Sequence, residues 1–398
     1  MPSETYSRTP ERSLLLECVR GWFGETKTPI SSESVGTDFD WDWFAKLAGE
    51  HRLSPLVYWR LTESGISVPE STMADLESHT EWVTFRNLNM VGTLHEAFEL
   101  FEENGIRALP YKGPALAATV HQDLAFRASA DLDVLLPKDQ MIEARNLLLD
   151  HGFRPKREMS EQELQTSLRS SRHISVIDDD DIRIELHWRV TGGRFPFPVD
   201  FDELWAHREN VEVSGQTLPM LAPEDLVTLL AVHGNRHCWT QLAWLCDFAG
   251  VVETYEFDWG QVLREARVRG AERIVLIGLQ LAADIVDIEI PTRAQQRIGE
   301  DWMVLRLAKR VEEEFLWVQP QPLSSVRYRL QARERMGDRI RMTGRLAFLP
   351  SKMDFDFLPA WAQFYPLAVL CRPIRVGFRT GRLLHSSLSR GSGNFEPD

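Results

Sequence analysis

The segment DLDVLLP (131–137) sets two aspartates one residue apart inside an apolar run that ends at proline. Side chains alternate along a strand, so Asp131 and Asp133 share one face, about 7 Å apart. Leu132, Val134 and Leu136 then turn to the other face and require a core. A chain holding this strand must build a sheet with one apolar side and one acidic side. Carboxylates held this close repel each other and raise one another's pKa, which a divalent cation relieves. Hard cations such as Mg²⁺ or Mn²⁺ take carboxylate oxygens and share them with substrate phosphates.

A second strand, IRIELHWRV (182–190), alternates as cleanly. Ile182, Ile184, Leu186 and Trp188 take one face, and Arg183, Glu185, His187 and Arg189 the other. If it lies beside the first, Glu185 becomes a third carboxylate, and three carboxylates on adjacent strands can hold two metal ions. His187 shares that face and either orients Glu185, binds a phosphate or is a structural histidine. Upstream, KGPAL (112–116) reads as a strand-to-helix turn. There Gly113 lets the backbone approach a phosphate, and the helix N-terminus offers free N–H groups. Lys112 and Arg127 supply positive charge against a triphosphate, or else are a strand-end surface lysine and a partner for Asp123 or Asp131.

The surroundings are consistent with a small α+β unit inside a helical protein. Strands are expected at 106–112, 131–137, 173–177 and 182–190, and helices at 113–123 and 138–152. The four acids Asp178–Asp181 between two of these strands read as a solvated hairpin tip. Residues 1–105 and those after about 220 carry helical apolar spacing. The expected organisation is an N-terminal helical region (1–105), a core (106–218), a helical domain (219–320) and a basic, aromatic-rich C-terminal extension (321–398). With 398 residues, 43% apolar, the chain can bury several cores. Its net charge of −14 disfavours a nucleic-acid partner. Residues 326–390 are the exception, with thirteen Lys or Arg against four Asp or Glu, a patch suited to an anionic membrane surface or an acidic partner. The four scattered cysteines, the lack of a signal-like N-terminus and the lack of a long apolar run suit a reducing cytoplasm.

The order of these motifs carries a resemblance. KGPALAATVHQDLAFRASADLDVLLP, then HGFRP, then IELHW, resembles a bacterial family of uncharacterised nucleotidyltransferases within the DNA polymerase beta-like superfamily. Its members read K-G-x-x-x, R-x-x-x-D-[IL]-D-[LV]-L-[LV], G-[FY] and E-L-H-W. The flanks WFAKLAGEHRLSPLVYWRL and LAPEDLVTLLAVHGNRHCWTQLAWLCDFA are also similar, as is the tail ending in RPIRVGF, so the resemblance covers roughly 40–380. It implies a mixed-sheet nucleotidyltransferase core flanked by helical regions. Asp131, Asp133 and Glu185 would be the metal-binding catalytic acids, Gly113 the phosphate-turn glycine and Arg127 the Arg before the pair. The superfamily turn is usually Gly-Gly or Gly-Ser, whereas here Pro114 follows Gly113 and brings neither N–H nor hydroxyl.

Each piece alone has a plainer reading: D-x-D pairs occur at strand ends and in metal-dependent glycosyltransferases. The implied activity is transfer of a nucleoside monophosphate from ATP or another NTP to a hydroxyl of a small molecule, peptide or protein, releasing pyrophosphate. The alternative is a catalytically weak or inactive nucleotide-binding relative. His233 and His237 are spaced like zinc ligands, but no H-E-x-x-H accompanies them; they are expected to line an interdomain cleft or sit in a core. Asp247 is expected as an interdomain polar contact.

Overall fold

The computed structural model describes residues 9–20, 22, 29–30, 35–36, 38–121, 123–349, 369 and 372. Most of the basic C-terminal extension, beyond 349, lies outside them.

The chain opens with helices α1 (Pro10–Val19), α2 (Trp41–Glu50), α3 (Ser54–Ser64) and the 34-residue α4 (Glu70–Glu103). Strand β1 (Leu109–Pro110) and a short helix α5 (Pro114–Leu116) follow, then β2 (Leu132–Leu135), α6 (Met141–Asp150), β3 (Arg154–Pro155), α7 (Glu161–Ser170), β4 (His173–Ile177) and β5 (Arg183–His187). Helix α8 (Phe201–His207) leads into a hairpin of β6 (Glu209–Val213) and β7 (Gln216–Met220). The rest of the described chain is helical, from α9 (Pro223–Arg236), α10 (Leu242–Thr254), α11 (Trp259–Val268) and α12 (Glu272–Val286) through α13 (Thr292–Glu300), α14 (Trp302–Arg310), α15 (Pro322–Gln331) and α16 (Met336–Phe348).

The five-stranded sheet has the order β1-β2-β5-β4-β3. Only β2 and β5 run parallel; the other neighbouring pairs are antiparallel. Its two faces differ as the alternation requires. Leu132, Val134, Ile174, Val176, Ile184 and Leu186 pack against Met90, Leu94, Phe98 and Phe101 of α4 and Met141, Ala144 and Leu148 of α6. A second apolar cluster joins α1–α3 to α9–α14. The opposite, polar face of the sheet looks toward α9 and α10. The fold is thus α+β, a mixed sheet flanked by helices.

Several elements differ from the sequence expectation. The strand expected at 106–112 shrinks to two residues because Pro110, on the sheet edge, has no N–H to donate. The helix expected at 113–123 is one α turn followed by a π turn over Ala117–His121. Thr119 Oγ1 donates to the carbonyls of Ala115 and Leu116, 3.0 and 3.3 Å away, competing with regular helix bonding. The expectation contained neither α7, whose Ser160 and Glu163 form a reciprocal cap, nor the β6–β7 hairpin, turned by Ser214 and Gly215 at φ 50° and 92°.

At the end of α9 the chain folds back so that Trp239, fully buried, lies on Gly234. Cys238 and Trp239 both take left-handed φ values of 56° and 53°. A methyl group at Gly234 would stand 2.4 Å from the indole ring. Gly234→Ala is therefore expected to destabilise the protein by about 1–3 kcal/mol, read as a lower denaturation midpoint at unchanged m-value. A wild-type midpoint would show that this turn repacks freely.

Candidate active site

Strands β2 and β5 pair with Asp133 opposite Glu185 and Leu135 opposite His187. Parallel pairing puts opposed residues on the same face, so both carboxylates and the imidazole face the polar side together. Asp131 lies one step before β2. All three acids line one cleft of about 210 Å³, together with Lys112, Gly113 and Arg127. His187 lies beneath it, fully buried, with Nε2 2.8 Å from Asp133 Oδ1 and 3.3 Å from Glu185 Oε2. His173, on the neighbouring β4, brings Nδ1 to 3.3 Å from Glu185 Oε2. The ligand atoms of His173, Glu185 and His187 all lie within 4.8 Å of one another, which is compact enough for a metal ion.

The Gly113 turn has a conformational reason for its glycine. Its φ of 73° lies in the left-handed half of the map, and an added Cβ would sit 3.3 Å from the Asp131 carbonyl oxygen. The turn is therefore pressed against the backbone that carries the acids.

Two of the expected phosphate-binding cations are already engaged. Lys112 Nζ lies 2.7 Å from Asp133 Oδ2. Arg127 grips Asp247 with Nε and Nη2 at 2.8 and 2.9 Å and gives Nη1 to Ser129 Oγ at 2.8 Å. Its counter-ion is thus neither Asp123 nor Asp131 but a buried residue of α10. Asn87 of α4 donates to the carbonyls of Leu124 and Arg127, fixing the same loop from the other side.

Four further arginines line the cleft and were not foreseen as a group: Arg52, Arg172, Arg183 and Arg236. Arg183 meets Asp131 at 2.5 Å, and Arg172 approaches Glu185 at 3.9 Å. The far wall is aromatic: the rings of His233, His237 and Trp244 cluster at centroid distances of 4.7–5.4 Å. Arg236 donates to His237 Nε2 at 2.7 Å. These histidines line the cleft and face no third metal ligand among the described residues.

The charges are tuned by these neighbours. Burial works to raise the Asp133 carboxyl, but the Lys112 ammonium and His187 hold it well below the usual range. Burial likewise opposes ionisation of Glu185, yet His187 and His173 bring it down to about 2. Burial, then the neighbouring His187, pushes His173 down to about 4, and burial with Arg236 pushes His237 to about 3. Asp133 and Glu185 are therefore ionised and these two histidines neutral at pH 7. A larger cavity, of about 580 Å³, lies between the end of α4 and the β6–β7 hairpin, and Glu102 is its only acid.

The Arg127–Asp247 pair generates two expectations. Removing either partner strands a buried charge, so Arg127→Ala should lose about 3–5 kcal/mol of stability, while Arg127→Met with Asp247→Leu should lose far less. Burial opposes ionisation of Asp247, but Arg127 and His121 bring its pKa to about 2, below its unfolded value of 3.8. Its contribution to stability is therefore full above about pH 4 and disappears as pH falls towards 2. Denaturation followed between pH 5 and 2 should show this loss in the wild type and a shallower slope in Asp247→Asn. Equal slopes would remove Asp247 as its source.

No curated protein matches the chain. A family described as uncharacterised nucleotidyltransferases matches residues 37–287, more than half of the sequence and all of the cleft described above, and the chain belongs to that family.

Proposed function

We propose that the cleft transfers a nucleoside monophosphate from an NTP to a hydroxyl of a small-molecule, peptide or protein acceptor. The acceptor oxygen bonds to the α-phosphorus, the bond to the β-phosphate breaks, and pyrophosphate leaves. The observation that carries this reading is the register of Asp133 against Glu185, with Asp131 beside them, in an arginine-lined cleft.

The donor set fits a divalent cation. Asp131, Asp133 and Glu185 offer hard carboxylate oxygens, two of them held ionised against strong burial. Lys112 already places a positive charge against Asp133. Mg²⁺ or Mn²⁺, when bound, would supply charge neutralisation at the phosphates and activation of the attacking hydroxyl. The residues of the chain do the rest. Released from Asp133, Lys112 is free to face a phosphate. Arg172, Arg183 and Arg236 offer guanidinium groups suited to phosphate oxygens. Because Pro114 has no N–H, these side chains take over contacts that the turn itself cannot make. His187 holds the two carboxylates in register from below.

The test is to incubate the protein with Mg²⁺ or Mn²⁺ and each of four labelled NTPs, following pyrophosphate release and labelled acceptor across an acceptor screen. Asp131→Asn and Asp133→Asn are each expected to lower turnover at least about a hundredfold while leaving the circular dichroism spectrum unchanged. Turnover that survives Asp131→Ala combined with Asp133→Ala would refute the proposal. Nucleotide binding without turnover would identify a binding relative instead.

A further inference from the structure

Helix α2 ends in a tight motif that recurs at four other helix ends among the described residues. At its end Leu53 N–H donates to Ala48 O at 2.8 Å and Arg52 N–H to Gly49 O at 3.0 Å. The same i→i−5 bond closes α4, α6, α9 and α11, with Ile106 on Phe101, Phe153 on Leu148, Trp239 on Gly234 and Ala271 on Ala266. The residue before that donor must take a left-handed φ, which suits glycine. In α4, α6 and α11 it is Gly105, Gly152 and Gly270, and in α9 it is Cys238 at φ 56°. In α2 it is Arg52, at φ 58°. A side chain there costs about 1 kcal/mol relative to glycine, which a contact made by the guanidinium in the cleft would offset.

The turn is also fixed in place. His51 is buried, its Nδ1 accepts from Leu242 N–H at 3.2 Å, and its carbonyl accepts from Ala243 N–H at 3.3 Å. These bonds clamp the turn to the start of α10, the helix that carries Trp244 and Asp247. Arg52 consequently lines the same cleft as the acids.

Its bonding sets it apart from the other cleft cations. Lys112, Arg127 and Arg183 are paired with Asp133, Asp247 and Asp131, Arg172 approaches Glu185, and Arg236 donates to His237. The Arg52 guanidinium makes no ion pair or hydrogen bond among the described residues. It faces Arg127 and the carboxylates of Asp131 and Asp247 without bonding to them. Arg52 is half-buried, so its donors without a protein partner are left to water, which a ligand can displace. Its planar donor fork matches phosphate oxygens.

We propose that Arg52 is a binding residue for the polyphosphate tail of the nucleotide, contributed to the cleft by the helices that precede the sheet. This rests on the nucleotidyltransferase reading of the cleft.

The experiment measures binding by isothermal titration to the full-length protein with Mg²⁺, using the four NTPs, their nucleosides and inorganic tripolyphosphate. Arg52→Gly removes the guanidinium and leaves a residue that fits the turn. It is expected to weaken NTP and tripolyphosphate binding about 10- to 100-fold, with nucleoside binding and melting temperature unchanged or the latter raised. Arg52→Lys should retain part of the affinity. In turnover, Arg52→Gly should raise KM for the NTP more than it lowers kcat. Wild-type affinity in Arg52→Gly would overturn the proposal and leave the reading of the cleft intact, as would a lowered melting temperature with unchanged affinity. A wild-type protein that binds neither NTP nor tripolyphosphate would overturn both.

Discussion

The parallel pairing of β2 with β5 is the constraint from which the cleft follows. Its register sets Asp133 against Glu185 and Val134 against Leu186. Because strand side chains alternate with a period of two, this one register serves both faces of the sheet. A slip by one residue would turn Asp133 into the layer of Met90, Leu94 and Leu148 and expose Val134 to the cleft. The apolar side therefore enforces the acidic side. Val134, Ile184 and Leu186 are fully buried, and each contributes about 1.5–3 kcal/mol to holding two ionised carboxylates together.

Apolar packing brings α9 and α10 to the cleft side of the sheet, where Leu109, Tyr111, Leu116, Val120 and Leu135 share one cluster with them. Charge adds to that packing. Arg127 leaves the loop before β2 and closes on Asp247 of α10 with two parallel hydrogen bonds. Asn87 holds the same loop to α4. The loop carrying Asp131 is thus anchored to helices that precede the sheet and to helices that follow it. The buried pair gives little net stability against an apolar substitute, but its directional hydrogen bonds tie the loop to α10 in this placement. That placement also sets Trp244 and, through His51, the Arg52 turn.

The sequence made some of this legible and hid the rest, for physical reasons. The two acidic strands could be read because alternation is a local pattern, and Asp131, Asp133, Glu185 and His187 follow from it. The glycine at 113 could be read, but the helix after it could not, because the Thr119 hydroxyl bonds carbonyls that the regular helix would have used. The cap at Ser160 and the Ser214-Gly215 turn carry the ordinary local signals S-x-x-E and S-G. The pairing of Arg127 with Asp247 spans 120 residues and leaves no trace in local spacing. Arg52, Arg172 and Arg236 look like surface arginines in sequence; only the fold gathers them.

The charge inventory of the cleft gives the assembly its logic. Six cationic side chains and three carboxylates line a space of about 210 Å³ in a chain whose net charge is −14. Without substrate the two sets mostly neutralise each other, through Lys112 on Asp133 and Arg183 on Asp131. A metal–nucleotide complex carries the same two charges in one ligand, cation and polyanion. In the proposed reaction Asp131, Asp133 and Glu185 would hold the metal ion, and Lys112 and Arg183, released from those carboxylates, would meet the phosphates.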